Sequence, residues 1–243
     1  MIIHKFIKRG LNHANYCEDF LLHETLADKY ELFGVFDGCS SGIDSHFASS
    51  FIAKITRSEF HKLEIEKDLS TEYFIKKLLF NVVFAIKEQK QTLGLNRDEL
   101  LSTIILFLYD KQSNSGLIIT IGDGVISING KHKVIDEDNI PDYLAYHLDK
   151  INNQAEFKMW YMMHTQQYDI DYLTDVSIST DGATSFVKTA KPEQEGTINP
   201  LDYLFKDEFL IKNKAMLGRK CNLLERKHNL VNADDLGIIR VLK

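Results

Sequence analysis

The segment YELFGVFDGC, residues 30–39, is an apolar run that stops on Asp37 and is followed at once by Gly38. Its continuous hydrophobicity, with Val35 and Phe36 at the end, predicts a strand that is buried. A buried carboxylate without a partner is costly, so Asp37 needs a cation, a proton or an opening to solvent. The end of this strand is therefore a candidate position for a functional site.

Other acids occupy comparable positions along the chain. Asp181-Gly182 follows VSIST, Asp123 lies between two glycines in IGDGV, Glu18-Asp19 precedes FLLHE, and Asp234-Asp235 precedes LGIIRV. Any one of these acids fits an ordinary turn. Together they predict carboxylates that converge, and hard divalent cations such as Mg²⁺ or Mn²⁺ relieve the repulsion between converging carboxylates by binding their oxygens.

Length and composition favour an ordinary globular protein. The chain has 243 residues with 44% hydrophobic residues, which predicts a single domain over residues 1–243 with a flap or insertion at about 131–170. The net charge of −6 disfavours nucleic acid and anionic membranes as partners. Three cysteines without paired spacing argue against a disulfide scaffold, and the cytoplasm is the expected location. The sequence leaves the oligomeric state open.

Periodicity predicts strands and helices in separate groups. Helices are expected over residues 47–63 and 70–94, the second with Ser70 as its N-cap and Gly94 as its stop. Residues 102–129 predict an antiparallel meander of three strands, and a helix-rich stretch and a final strand follow later in the chain. This grouping indicates an α+β fold in which sheets pack against helices.

The order of motifs CEDF, VFDG, STIILF, IGDG, STDG and ADDLGIIRV resembles the metal-dependent serine/threonine protein phosphatases of type 2C, in a divergent bacterial-type branch. The resemblance runs from about residue 10 to the C-terminal residues. It implies a four-layer αββα sandwich, in which two packed antiparallel β-sheets are flanked by pairs of helices.

The same resemblance implies a site for two Mn²⁺ or Mg²⁺ ions. The ligands that it assigns are Glu18, Asp37, Gly38, Asp181 and Asp234, with Asp123 at a third ion that some bacterial members hold. Asp37 would bridge the two ions, and Asp19 would orient a bound water. The implied reaction is hydrolysis of phosphoserine and phosphothreonine esters by a water held between the ions. A phosphorylated protein would be the substrate, and a serine/threonine kinase would oppose the reaction.

Two positions depart from the family pattern. Many members carry a phosphate-binding arginine shortly before the Glu-Asp pair, where this chain reads NHANYC; His13, Lys8 and Arg9 are the candidates to replace it. Many members also have a histidine after the Asp-Gly pair, as a proton donor to the leaving group, where this chain has Cys39.

These departures keep alternative functions open. One is a catalytically weak or inactive phosphatase-like domain that acts as a regulatory or phosphopeptide-binding module. Another is an aspartyl-phosphate protein with Asp37 as nucleophile, although such chains usually alternate strands and helices. A third is a calcium-stabilised protein, although the sequence has no EF-hand spacing.

Overall fold

The computed structural model describes residues 1–65, 70–136, 141–189 and 198–243. Its strands are β1 (Ile2–Lys8), β2 (Asp19–Leu26), β3 (Tyr30–Gly38), β4 (Ser102–Asp110), β5 (Ser115–Ile121), β6 (Gly124–Ile128), β7 (Lys131–Ile135), β8 (Gln166–Ile170), β9 (Asp175–Ser179), β10 (Phe186–Lys188), β11 (Leu230–Asn232) and β12 (Leu236–Leu242). Its α-helices are α1 (Ser45–Lys62), α2 (Thr71–Leu93), α3 (Gln154–His164), α4 (Pro200–Phe205) and α5 (Met216–His228). Short 3-10 helices occupy Arg97–Glu99, Leu144–Tyr146, Leu148–Lys150 and Asp181–Thr184.

Most of the strands form two five-stranded antiparallel sheets. The central sheet has the order β2-β3-β4-β5-β8, and the terminal sheet has the order β1-β12-β9-β6-β7. Strands β10 and β11 form a separate antiparallel pair. Strand β3, which carries Asp37, lies between β2 and β4, so hydrogen-bonded neighbours on both sides fix its position.

The two sheets pack face to face, and helices cover their outer faces. Successive residues of a strand point to opposite faces, so Phe33 and Val35 of β3 lie in the core between the sheets. Leu32 and Phe36 lie in the core shared with α1, α2 and α3. Helices α4 and α5 cover the terminal sheet, where Leu224 packs in one cluster with strand β12 residues. The predicted α+β fold, a four-layer αββα sandwich, is confirmed.

The second long helix begins and ends where the sequence predicts. The Ser70 side chain accepts a hydrogen bond from the Tyr73 amide at 3.1 Å, which satisfies one of the free donors of the first turn. The chain leaves α2 through Gly94 at φ 68°, a left-handed conformation that glycine adopts without strain.

The predicted three-stranded meander is wrong in one respect. Strands β4 and β5 pair as expected, but β6 pairs with β7 and β9 in the other sheet. The turn between β5 and β6 crosses from the central to the terminal sheet, and Gly122 and Gly124 have φ values of 82° and 142° there. The apolar pattern of β6 suits a buried strand of either sheet, so the sequence alone did not distinguish them.

Residues 131–170, the predicted flap or insertion, contribute to both sheets. Strand β7 forms an edge of the terminal sheet and β8 an edge of the central sheet. Between them, α3 buries Phe157, Trp160 and Tyr161 in the core next to α2. Residues 137–140 of this stretch lie outside the described residues. No helix in the described ranges combines the length and apolarity needed to cross a bilayer.

Candidate active site

The ends of strands from both sheets meet at one edge of the sandwich. In the central sheet, Asp19 begins β2 and lies directly opposite Asp37 in β3. In the terminal sheet, Asp181 follows β9 and Asp234 precedes β12, and β9 and β12 are neighbours. These acids are far apart in the sequence and come together because the two sheets stack.

A cavity of about 290 Å³ opens at this edge. Its lining residues are Asp37, Gly38, Cys39, Ser40, Ser41, Asp123, Pro141, Tyr143, Asp181 and Asp234. Five of the residues predicted from the sequence therefore line one cavity. The other three, His13, Glu18 and Asp19, lie beside these acids and do not line the cavity itself. Glu18 Oε1 accepts a hydrogen bond from Ser45 Oγ at 2.5 Å.

Burial and mutual repulsion set the ionisation of the acids. Burial raises the pKa of Asp37 well above its usual value, and the charges of Asp19, Asp181 and Asp234 raise it further. The pKa of Asp19 is also raised by burial, although Thr180 Oγ1 donates a hydrogen bond to its Oδ2 at 2.8 Å. Burial and the charge of Asp234 raise the pKa of Asp181. The cavity thus concentrates negative charge that needs protons or cations.

The donor atoms fit hard divalent cations. Glu18 Oε2, Asp19 Oδ1 and Asp181 Oδ1 are buried without a hydrogen-bond partner among the described residues. Unsatisfied buried carboxylate oxygens are unusual in folded proteins and are the ligands that Mg²⁺ and Mn²⁺ prefer. At Gly38 a side chain is excluded, because an added Cβ would lie 2.0 Å from the Ser45 carbonyl oxygen.

Asp235 organises the loops behind the cavity, a role that the sequence did not reveal. It is 1% exposed. One carboxylate oxygen accepts from the Gly10 amide at 2.6 Å, and the other accepts from the Glu18 amide at 2.5 Å and from His13 Nδ1 at 2.8 Å. Asp235 therefore ties the segment before β2 to the segment before β12. The pair Asp234-Asp235 is visible in the sequence, but the pair alone does not indicate which of the two acids is buried.

His13 lies among the acids as an ion-pair partner. Its Nδ1 contacts Asp235, and its Nε2 lies 3.1 Å from Asp234 Oδ1. Burial by itself lowers the pKa of His13, but the hydrogen bond and charge of Asp235 and the charges of Glu18 and Asp234 raise it overall. Contacts on both nitrogens favour the protonated ring.

The other two cations considered for the missing arginine are engaged elsewhere. Lys8 Nζ lies 2.8 Å from Glu225, and Arg9 Nη1 donates to the Ala14 carbonyl at 2.6 Å. Of the three candidates, His13 is the one in contact with the predicted ligands.

Cys39 and Tyr143 share a wall of the cavity. Cys39 Sγ lies 3.1 Å from Ser41 Oγ. Burial, a hydrogen bond with Cys39 and the charges of Asp37 and Asp123 raise the pKa of the Tyr143 hydroxyl. Tyr143 therefore keeps its proton and remains a hydrogen-bond donor at the site. Tyr143 is not predicted from the sequence, because it lies in the polar stretch where periodicity is weak.

Comparisons with known proteins agree with this architecture. The sequence profile of the Protein phosphatase 2C family matches residues 9–207. No curated protein sequence matches the chain. Among solved structures, Stp1 from Staphylococcus aureus, described as a serine/threonine phosphatase, has a TM-score of 0.62 and 15% identity, over 100% of this chain and 95% of that chain.

Two further structures share the fold. The PP2C phosphatase domain of SpoIIE from Bacillus subtilis, with a fragment of its regulatory domain, has a TM-score of 0.59 and 13% identity, over 100% of this chain and 63% of that chain. RsbX in complex with magnesium has a TM-score of 0.52 and 15% identity, over 98% of this chain and 92% of that chain. At these identities the likenesses establish the fold, while the profile match, which covers most of the sequence, shows that the chain belongs to the protein phosphatase 2C family.

Proposed function

We propose that this chain is a metal-dependent phosphoprotein phosphatase that hydrolyses phosphoserine and phosphothreonine esters. The observation that carries the proposal is the convergence of Asp37, Asp181 and Asp234 on one cavity beside buried carboxylate oxygens without hydrogen-bond partners. Family membership supports a phosphorylated protein as substrate, with a serine/threonine kinase as the opposing enzyme. The magnesium held by RsbX supports a hard divalent cation as the cofactor.

The proposed ligands divide between the two sheets. Asp37 would be shared by two Mn²⁺ or Mg²⁺ ions, with Glu18 and the Gly38 carbonyl on the central-sheet side. Asp181 and Asp234 would complete the site from the terminal sheet, and Asp123 would serve a third ion. When bound, such ions lower the pKa of water and offset charge on the phosphoryl group.

The remaining side chains of the site would position the attacking water and the ligands, and would neutralise charge on the phosphoryl group. Asp19, held by Thr180 Oγ1, would accept a proton from the attacking water. His13 would hold Asp234 in place and add positive charge near the phosphoryl oxygens. The hydroxyls of Ser40 and Ser41 and the Tyr143 side chain line the same cavity, where they could donate hydrogen bonds to the substrate.

The three cysteines support a reducing compartment as the working location. Cys17, Cys39 and Cys221 are all free thiols, and Cys39 lines the cavity itself. Cysteines stay reduced in the cytoplasm and are oxidised in secretory compartments. We therefore place the enzyme in the cytoplasm.

The decisive experiment is phosphate release from a small aryl phosphate with Mn²⁺ and after chelation. Asp37→Asn and Asp181→Asn should each lower turnover by about two to four orders of magnitude, because each removes a carboxylate that would hold the cations that offset phosphoryl charge in the transition state. Asp149→Asn is the matched control, since the Asp149 side chain is 78% exposed and forms an ion pair with Lys90, and neither residue lines the acidic cavity. It should retain full turnover.

Binding provides a second readout that does not need turnover. Mn²⁺ should raise the Tm of the wild-type chain and of Asp149→Asn, but much less that of Asp37→Asn. Full activity in Asp37→Asn would contradict the proposed ligand set. Phosphopeptide binding without Mn²⁺-dependent phosphate release would instead support the alternative of an inactive binding module.

A further inference from the structure

A second cluster of metal-ligating side chains lies outside the acidic cavity. His147 Nε2 donates to Asp142 Oδ1 at 2.6 Å, and His164 Nδ1 donates to Asp142 Oδ2 at 2.5 Å. The two imidazole rings lie 4.0 Å apart between centroids. Both histidines thus turn a ring nitrogen towards the same carboxylate.

Two segments supply this cluster. Asp142 lies in the loop before the 3-10 helix Leu144–Tyr146, His147 follows that helix, and His164 is the last residue of α3. The side chains are partly shielded, since His147 is 13% exposed and Asp142 is 36% exposed. An ion could therefore enter from solvent and still lose part of its hydration shell.

The donor set differs in kind from that of the cavity. One nitrogen of each histidine and a carboxylate oxygen of Asp142 lie within 4.8 Å of one another. Two imidazoles and a carboxylate suit zinc and related borderline metals, whereas sites made of oxygens alone suit Mg²⁺ and Mn²⁺. We propose that Asp142, His147 and His164 form a site for a zinc-class divalent cation, separate from the cations of the acidic cavity.

Within the described ranges, a further cluster that contains a histidine is less suited to zinc. His13, Glu18 and Asp235 also lie close together, but they supply a single nitrogen. Both oxygens of Asp235 already accept backbone N–H groups, from Gly10 and Glu18. A zinc ion there would have to displace the hydrogen bonds that hold the loops in place.

An ion at Asp142 would act on the wall of the cavity. The residues on either side of Asp142 are Pro141 and Tyr143, and both line the acidic cavity. Zinc binding would replace two hydrogen bonds by metal bonds and would anchor this loop to the end of α3. We therefore expect a structural ion that stabilises the wall without taking part in phosphate release.

The fluorescence of a tryptophan close to this site can report metal binding. Trp160 is the single tryptophan of the sequence, and its ring centroid lies 6.5 Å from that of His147. A paramagnetic ion held by His147 and His164 should quench its fluorescence. Zinc, which is diamagnetic, should restore the fluorescence as it displaces the quencher.

The experiment titrates the full chain with Co²⁺, and then with Zn²⁺, in saturating Mg²⁺ so that the oxygen-only sites stay filled. We expect Co²⁺ to quench Trp160, Zn²⁺ to reverse the quenching, and equilibrium dialysis to find one bound zinc per chain. At a hundredfold excess over Kd, zinc should raise the Tm by about 5–10 °C.

The variants are chosen to keep the hydrogen bonds and remove the metal ligands. Gln can replace His147 Nε2 and Asn can replace His164 Nδ1 as N–H donors to Asp142. His147→Gln and His164→Asn should therefore fold and should lower zinc affinity about a hundredfold or more. His61→Gln is the control, because it alters a surface pair in which His61 Nε2 lies 2.9 Å from Glu24.

The outcomes separate this site from the phosphatase site. Zinc binding lost in His147→Gln and His164→Asn but kept in His61→Gln supports the proposal, whether or not the chain releases phosphate. Absence of zinc binding to the wild-type chain would overturn it. Zinc binding that survives in both variants would also overturn it, since the ion would then lie at His13 or in the acidic cavity.

Discussion

At the scale of single residues, neighbouring acids in Asp234-Asp235 have opposite environments. The Asp234 side chain is 39% exposed and lines the cavity, whereas the Asp235 side chain is 1% exposed and accepts hydrogen bonds from two backbone amides and one imidazole. A carboxylate that accepts several N–H groups is held firmly and resists replacement. Asp235 is therefore a positioning residue, and Asp234 is the proposed ligand.

Substitution of the two acids should separate stability from activity. Asp235→Asn should lower the free energy of unfolding by about 2–4 kcal/mol, because it weakens charge-assisted hydrogen bonds and places a buried N–H group opposite other donors. Asp234→Asn should leave that free energy within about 1 kcal/mol of wild type and should abolish most Mn²⁺-dependent turnover. Urea unfolding and a phosphatase assay on both variants test this contrast. Equal loss of stability in the two variants would contradict it.

The sequence predicted which residue types form the site but not how each one is used. Asp37 was identified because a carboxylate at the end of a buried strand needs a cation, a proton or an opening to solvent. The buried role of Asp235 was not predicted, because two adjacent identical residues do not indicate which one faces inward. Tyr143 was missed for a different reason: it reaches the cavity by tertiary packing of a segment without periodicity.

At the scale of elements, the short turn between β5 and β6 moves the chain from one sheet to the other and carries Asp123. Gly124 has a φ of 142°, and an added Cβ there would lie 2.8 Å from the Ser179 carbonyl oxygen. Both the backbone conformation and the close approach of β9 thus call for glycine at this position.

Replacement of Gly124 by alanine should lower the free energy of unfolding by more than backbone strain alone would lower it. Gly130→Ala is the matched control, because Gly130 also has a positive φ, 80°, but nothing lies within 4 Å of an added Cβ. We expect Gly130→Ala to cost about 1 kcal/mol of unfolding free energy and Gly124→Ala about 2 kcal/mol more. Chemical denaturation of the two variants measures the difference. Equal costs would mean that β9 moves aside without penalty.

Helices were easier to predict than sheet membership. Helix α2 follows from local signals alone, namely an apolar stripe, the Ser70 cap and the Gly94 stop. The assignment of β6 to the terminal sheet depends on its pairing with β9, which is distant in sequence, whereas its other partner β7 follows it directly. Alternation along a strand does not encode which strand it pairs with, so this part of the topology required the structure.

At the scale of the whole molecule, the core between the sheets links the two halves of the site. Phe107 of β4 is fully buried there and stacks on Phe33 with 5.6 Å between ring centroids. Loss of this packing would loosen one sheet from the other. The acids that the two sheets contribute to the cavity would then no longer be aligned. One domain over residues 1–243, with a flap or insertion at about 131–170, stays a prediction from the sequence.

A single domain should unfold in one step. Urea unfolding followed by Trp160 fluorescence and by far-UV circular dichroism should give coincident transitions. Phe107→Ala should lower the free energy of unfolding by about 3–5 kcal/mol in both signals, because it leaves a cavity between the sheets. Phe209→Ala is the control, since Phe209 is 54% exposed. Separate transitions for the two signals would indicate independent units instead.

The order of strands in the terminal sheet also has a consequence for the chain while it is being synthesised. Strand β12 lies between β1 and β9, so it must pair with two strands that are synthesised before it. A ribosome-bound chain that has exposed Asp37 but not yet Asp234 holds one side of the proposed metal centre only. Chains that lack β12 should therefore be without the proposed hydrolytic activity, which should begin only after β12 has paired with β1 and β9.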